Sequence, residues 1–317
     1  GREKNKNGEE RIMTSLKTPN KTNAETLDFE NQILEQTREP VSLNVATVTV
    51  LRAAEPCNKK ISLNETTDAL EKIPLARITY AEAISHEVVD AASLHSLLEE
   101  VSEHSDLAIT LCSFNGIPAE EPFTILSARM MRERLELPEN SATPDTAMQF
   151  DGKYFTTREK KNCIPSSWAC FDYDNVKGMP EELVATNPEE WLRMMGNFVP
   201  GFNEADKVLA RSSSSRISYH DAPAFDGGWH CFVQVKDADD VENFGKRLLI
   251  HSLTTEYGFM REIFSSDTGE VVGHRPWTIF DPTTFSRERL LFEGKPIVDG
   301  RGLDVFPTGI KVIGGKS

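Results

Sequence analysis

Ser167-Trp-Ala-Cys-Phe-Asp-Tyr-Asp174 reads as a buried β-strand that carries two carboxylates. Strand side chains alternate between faces, so Asp172 and Asp174 project from one face, and Phe171 and Tyr173 from the other. Two acids on one spot of a largely buried strand repel each other and lose hydration, which favours the neutral form unless a cation is present. A divalent ion offsets that repulsion and keeps both ionised. Hard ions with a preference for oxygen ligands, magnesium or manganese, fit such a pair. The bland reading of the same pair is a strand end whose acids are simply solvated.

The sequence around this strand bounds the answer. The 317 residues suffice for one large domain or two ordinary ones. No run reaches the length of a membrane span, and the polar first residues lack the basic head and apolar stretch of a secretory signal, so an intracellular, cytoplasmic protein without a membrane partner is expected. Cys57, Cys112, Cys163, Cys170 and Cys231 are odd in number and scattered, which argues against a disulfide framework. Cys163, Cys170, His220 and Cys231 fit no standard zinc spacing, so zinc is not expected. The net charge of −15 weighs against tight, non-specific coating of nucleic acid, which draws on a basic footprint. A local basic stripe does exist, with Lys153, Arg158, Lys160 and Lys161 leading into the Asp-x-Asp strand.

Three segments follow from composition and periodicity. Residues 1–40 are polar and poor in large apolar groups, and are expected to form a mobile arm with at most a short helix over Leu27 to Leu34. Residues 41–145 form an N-terminal α/β module with strands over Leu43 to Leu51 and Leu107 to Phe114, and helices over Ala91 to Val101 and Phe123 to Leu135. A polar connector over Leu137 to Pro144 then leads into a module at 146–317. It holds a strand near Met148 to Thr156, the Asp-x-Asp strand and a helix from Pro188 to Phe198 capped by Asn187. The strand Trp229 to Val235 follows, then a helix from Ala238 to about Thr255 opened by Asp237, a hairpin over Arg261 to Val272 turning at Asp267-Thr-Gly269, and a strand Trp277 to Asp281. This order predicts an α+β fold rather than a doubly wound parallel sheet. Neither a Rossmann fingerprint nor a Walker A loop is present.

Three chemical features fall on strands of the second module: the Asp172/Asp174 pair, His230 after Gly227-Gly228, and Asp281. If the strands are neighbours, His230, Phe232 and Gln234 share one face while Cys231, Val233 and Val235 fill the core. In this order the features resemble the motifs of the archaeo-eukaryotic primase superfamily, especially primase-polymerases of plasmids, phages and other mobile elements. Asp172-Tyr173-Asp174 matches the Asp-x-Asp motif, Gly227-Gly228-Trp229-His230 the small-residue turn before a strand histidine, and Phe280-Asp281 the hydrophobic-Asp motif. The stretch Asp281-Pro-Thr-Thr-Phe-Ser-Arg-Glu-Arg-Leu-Leu-Phe-Glu-Gly294 is similar to the tail of the mobile-element members. The resemblance covers roughly residues 150–300.

The resemblance implies an RRM-like catalytic sheet packed against the N-terminal α/β module, with the active site between them. It implies that Asp172, Asp174 and Asp281 hold two Mg2+ or Mn2+ ions for template-directed joining of nucleoside triphosphates on a DNA template and primer. It further implies nucleotide contacts from His230, Arg158, Lys160, Lys161, Ser213, Ser215, Arg216 and Arg275, and a helicase domain or protein as partner. Family members commonly carry a serine close before the motif histidine; here Gly228 takes that place, and the run Ser212 to Ser215 lies about fifteen residues earlier. The chain ends at Gly314-Gly-Lys-Ser317 without a helicase motif set, so a piece of a longer replication protein is expected. Two other functions use parts of the same pattern. Glycosyltransferases hold a nucleotide-sugar diphosphate through Asp-x-Asp and manganese, and a non-catalytic RRM-like module reads single-stranded nucleic acid by aromatic stacking.

Overall fold

The computed structural model describes residues 46–315, apart from 65, 68, 74, 76–77, 225–227 and 266–267. The expected arm at 1–40, the start of the first strand at Leu43, Gly227, the turn residue Asp267 and the last two residues lie outside the described ones. The described residues belong to one compact unit spanning Pro40–Ser317. They form a mixed α+β structure with several sheets. Among them, no helix is long and apolar enough to cross a membrane.

The acidic strand forms as Trp168–Tyr173, ending one residue before Asp174. It pairs antiparallel with Trp229–Gln234, placing Asp172 opposite His230. That strand pairs with Lys207–Arg211, which pairs with Lys311–Ile313. Alternation divides the side chains as expected, but both faces are covered. Ala169, Phe171, Tyr173, Leu209, Cys231 and Val233 pack with Trp191, Met195, Phe198 and Leu248 of the helices Pro188–Phe198 and Val241–Ser252. On the other face Trp168, Cys170, Val208 and Phe232 meet Leu94, Leu98 and Val101 of the helix Ala91–Ser102. Phe232 does share its face with His230, but it is core like Cys231 and Val233, because the first lobe closes that side of the sheet. Asp172 and His230 form the next pair on this face after Cys170 and Phe232.

The first lobe is a six-stranded sheet in the order Leu107–Thr110, Ala46–Ala53, Tyr80–Val88, Phe123–Leu126, Lys153–Thr157, Met148–Phe150. Four expectations change here. Phe123–Leu126 is a strand, and the helix starts only at Ala128, after Ser127, whose hydroxyl accepts from the Met130 amide at 3.3 Å. The run Leu107 to Phe114 breaks at Leu111 into two strands of different sheets, Leu107–Thr110 and Cys112–Phe114. The strands at 148–157, read as the start of the second module, hydrogen-bond into the first sheet through Phe123–Leu126. The helix expected from Ala238 begins at Val241 with Asp240 as cap, while Asp237 accepts from the Asp239 amide at 3.0 Å instead. Local pattern locates apolar runs; tertiary pairing decides which runs extend as strands.

Candidate active site

Aromatic packing fixes the acidic strand from behind. The Phe171 ring meets Phe280 at 5.4 Å and Phe285 at 5.1 Å, both nearly edge to face, and Tyr173 stacks on Trp229 at 5.1 Å. The Tyr173 hydroxyl accepts from the Ala185 amide at 2.6 Å, tying the connection after the strand to its end. Because Phe280 is locked on Phe171, the next residue lies beside Asp172: the Asp281 amide donates to the Asp172 carbonyl at 2.7 Å. The Thr284 hydroxyl adds a bond to the Cys170 carbonyl at 2.7 Å. Asp281 does not end a strand as expected. The strand stops at Thr278, and Asp281 caps the short 3-10 turn Pro282–Phe285, its carboxylate accepting from the Thr283 amide at 2.8 Å.

The second feature is a buried imidazole between two carboxylates. His230 Nε2 lies 3.2 Å from Asp172 Oδ1, and Nδ1 bonds to Glu293. His230 and Glu293 are 7% and 3% exposed, which makes this a desolvated charge cluster rather than a surface pair. Burial works against a charged ring, but Glu293 first and Asp172 next raise the His230 pKa well above its ordinary value. Burial likewise opposes the charge of Asp172; the His230 ring, aided by Lys59 and Arg289, outweighs it and holds that carboxyl below its ordinary value. Asp174 sits at the solvent-facing lip, yet crowding by protein and then the charge of Asp172 hold its carboxyl above the usual range.

Asp172 Oδ1 is enclosed and has no well-aligned hydrogen-bond donor; the 3.2 Å approach of His230 meets the distance of an ion pair but not hydrogen-bond alignment. An orphaned carboxylate oxygen next to a second, like-charged carboxylate suits a hard cation. Among the described residues, however, no three His, Cys, Asp or Glu side chains stand gathered as a metal cage. Cys163, Cys170 and Cys231 fall in three separate core clusters.

The other residues named from sequence separate into two groups. Ser215 is brought beside the histidine strand although it is far from it in sequence, and Ser213 lies buried in the same short turn. The Ser215 hydroxyl donates to the Gly228 carbonyl at 2.6 Å, and the Ser212 amide to the same oxygen at 2.9 Å, directly before the histidine strand. Gly228 has φ +87°, and a Cβ there would stand 2.5 Å from Ser212 Oγ. Gly228→Ala is therefore expected to cost about 1–3 kcal/mol, read as a lower urea midpoint with an unchanged slope. An unchanged midpoint would show that the serine turn does not press on this glycine.

The basic residues are mostly engaged elsewhere. Arg216 is 2% exposed, with its guanidinium spent on the carbonyls of Phe306 at 3.1 Å and Ser102 at 2.9 Å, so it ties the lobes together rather than facing a phosphate. Arg158 donates to the Glu288 carbonyl at 2.5 Å, Lys161 to the Thr143 carbonyl at 2.5 Å, and Lys160 pairs with Glu242. Arg275 is exposed on the ribbon Gly258–Phe264/Val271–Thr278, directly opposite Arg261, and both guanidiniums lie over the Trp277 ring, at 4.4 and 4.5 Å. Burial first and then Arg275 lower the Arg261 pKa, while the charges of Asp281 and Asp174 oppose that shift.

Glu293, Lys59 and Arg261 escaped the residue-by-residue reading. For Glu293 a signal existed, since it closes the tail stretch quoted above; for Lys59 and Arg261 there was none. No protein-family model matches the chain, no curated protein matches its sequence, and no solved structure matches its fold.

Proposed function

We propose that the chain is a template-directed nucleotidyltransferase core of the primase-polymerase type, acting on nucleoside triphosphates with a DNA template and primer. The observation that carries this reading is the adjacency of the Asp281 and Asp172 backbones, made by the 2.7 Å bond and the Phe171–Phe280 contact, at the strand end that Asp174 follows. A nucleotide-sugar site built on Asp-x-Asp needs no third aspartate delivered from another segment. An RRM-like reading is supported by the strands of this sheet and the helices between Trp168 and Ser252, which follow as strand, helix, strand, strand, helix with the third strand central between the first and second, once the inserted strands Ile217–Tyr219 and Ala222–Pro223 of another sheet are set aside.

Asp172, Asp174 and Asp281 would hold two Mg2+ or Mn2+ ions. Bound there, such ions lower the pKa of an attacking 3′-hydroxyl and neutralise charge on the leaving pyrophosphate. The residues of the chain do the rest. His230 was expected to grip the triphosphate, but Glu293 takes its Nδ1 and its Nε2 side faces the Asp172 carboxylate as an ion pair. Its role in this reading is to fix the orientation of Asp172 and compensate its charge, so that the carboxylate stays ionised in a partly buried position. The serine turn against Gly228 and the exposed Arg275 face the phosphates.

The test is incorporation of labelled nucleotide onto a primed single-stranded template with Mg2+ or Mn2+. Divalent-dependent extension is expected; transfer of sugar from a nucleotide-sugar donor without extension would replace the reading by a glycosyltransferase. Metal-independent strand binding as the sole activity would replace it by a binding module.

A further inference from the structure

Lys59 reaches from the first lobe to the serine turn beside the histidine strand, and its backbone is pinned in the first lobe. Asn58 is fully buried, and its side-chain amide donates to the carbonyls of Ser105 and Leu107, each at 2.9 Å. The Lys59 carbonyl accepts from the Ile297 amide at 3.0 Å, and the next residue opens the strand Lys60–Asn64, which runs parallel to Ile297–Asp299. From this anchor the ammonium crosses to the second lobe and donates to Ser214 Oγ at 3.3 Å. Ser214 is buried in the turn that packs on Gly228, one residue before the histidine strand. The same positive charge acts on both Asp172 and Asp174.

The chemistry of this placement is specific. An ammonium is a point charge with three donors on a flexible stem, so it can exchange partners without moving the backbone. Here its hydrogen-bond partner is a neutral hydroxyl, and the carboxylates it compensates are those that a divalent cation would take over. A lysine and a serine hydroxyl side by side next to a cation site form a donor set for phosphate oxygens.

We propose that Lys59 is a phosphate-binding residue supplied by the first lobe: it neutralises Asp172 and Asp174 in the free protein and moves with Ser214 onto the polyphosphate of a nucleoside triphosphate when divalent cations occupy the acids. The inference rests on the nucleotidyltransferase reading. It predicts opposite signs for two ligands, which a merely structural lysine would not produce. Removing a cation that competes for the carboxylates tightens divalent binding, and removing a phosphate donor weakens phosphate binding.

The experiment is an electron paramagnetic resonance titration with Mn2+ alone, followed by calorimetry with inorganic tripolyphosphate in saturating Mn2+, on the whole chain. Lys59→Met keeps the aliphatic stem and the fold, checked by circular dichroism. It is expected to bind Mn2+ more tightly by about threefold or more and tripolyphosphate more weakly by about tenfold. Lys59→Arg is expected to restore most of the tripolyphosphate affinity. Wild-type tripolyphosphate affinity in Lys59→Met, together with loss of Mn2+ binding in Asp174→Ala, would overturn the role of Lys59 and leave the nucleotidyltransferase reading standing. Wild-type Mn2+ binding in Asp174→Ala and Asp172→Ala alike would overturn both.

Discussion

Alanine at Asp172, Asp174 or Asp281 is expected to lower divalent-dependent nucleotide incorporation by about a thousandfold or more, since two-metal stabilisation of the transition state supplies several kcal/mol and each ~1.36 kcal/mol is tenfold in rate. The three variants should differ in stability, which separates a catalytic loss from a folding loss. Asp174 is held above its ordinary pKa by crowding and by Asp172, so its charge opposes folding at neutral pH, and Asp174→Ala should leave the urea midpoint unchanged or raise it. Asp281→Ala removes the acceptor for the Thr283 amide and should cost about 1 kcal/mol. Asp172→Ala leaves His230 with one carboxylate fewer and should cost the most. Single-turnover extension of a labelled primer, with unfolding curves for the same preparations, reads all of this. Activity near wild type in the three variants would remove the catalytic proposal.

Glu293→Gln is expected to be among the most destabilising single substitutions in the described structure. It keeps the shape of the side chain but removes the charge that holds a 7% exposed imidazolium, and breaking a buried pair costs about 3–5 kcal/mol. The pH dependence follows from the shift at His230. Its folded pKa is raised, so the stabilisation is complete below the unfolded value of about 6.5 and is lost as pH rises through the folded pKa. Asp172 works at the other end. Its folded pKa is lowered, so its contribution is present above about 3.9 and is lost as pH falls through the folded value. Wild-type stability should therefore peak between those limits and decline on the alkaline side, and Glu293→Gln should flatten that decline. Urea midpoints between pH 4 and 10 check it; parallel curves for the two proteins would show that Glu293 does not sustain the charge of His230.

Much of this site was legible in the chain, because its strands obey a local rule. Period-two alternation put Asp172 on the face opposite Phe171 and Tyr173, although the strand ends at Tyr173 and leaves Asp174 one residue beyond it, and Asn187 followed by Pro188 marked the start of a helix that forms where expected. The Phe123 to Leu135 run shows the limit. Its apolar spacing suits a helix, yet its first four residues complete a sheet between Tyr80–Val88 and Lys153–Thr157, a choice made by partners far away in sequence. The basic stripe shows another: Arg158, Lys160 and Lys161 read as a phosphate grip, and the fold gives each a protein acceptor instead.

The sequence by itself determined that Asp172 lies on a buried strand with Asp174 two residues on, that a histidine strand and a third aspartate follow in order, and that the fold is mixed α+β. Those properties depend on backbone periodicity and on the side chains of neighbouring residues. Only the tertiary structure decided that Glu293 closes on His230, that Lys59 crosses from the first lobe to the serine turn, and that Arg216 is spent on holding the lobes together. These contacts depend on how the tail from Leu291 to Asp299 threads between Ile109 and Lys60 and draws the two lobes against one another. Desolvation at that junction then sets which charges must be paired, and no local pattern encodes it.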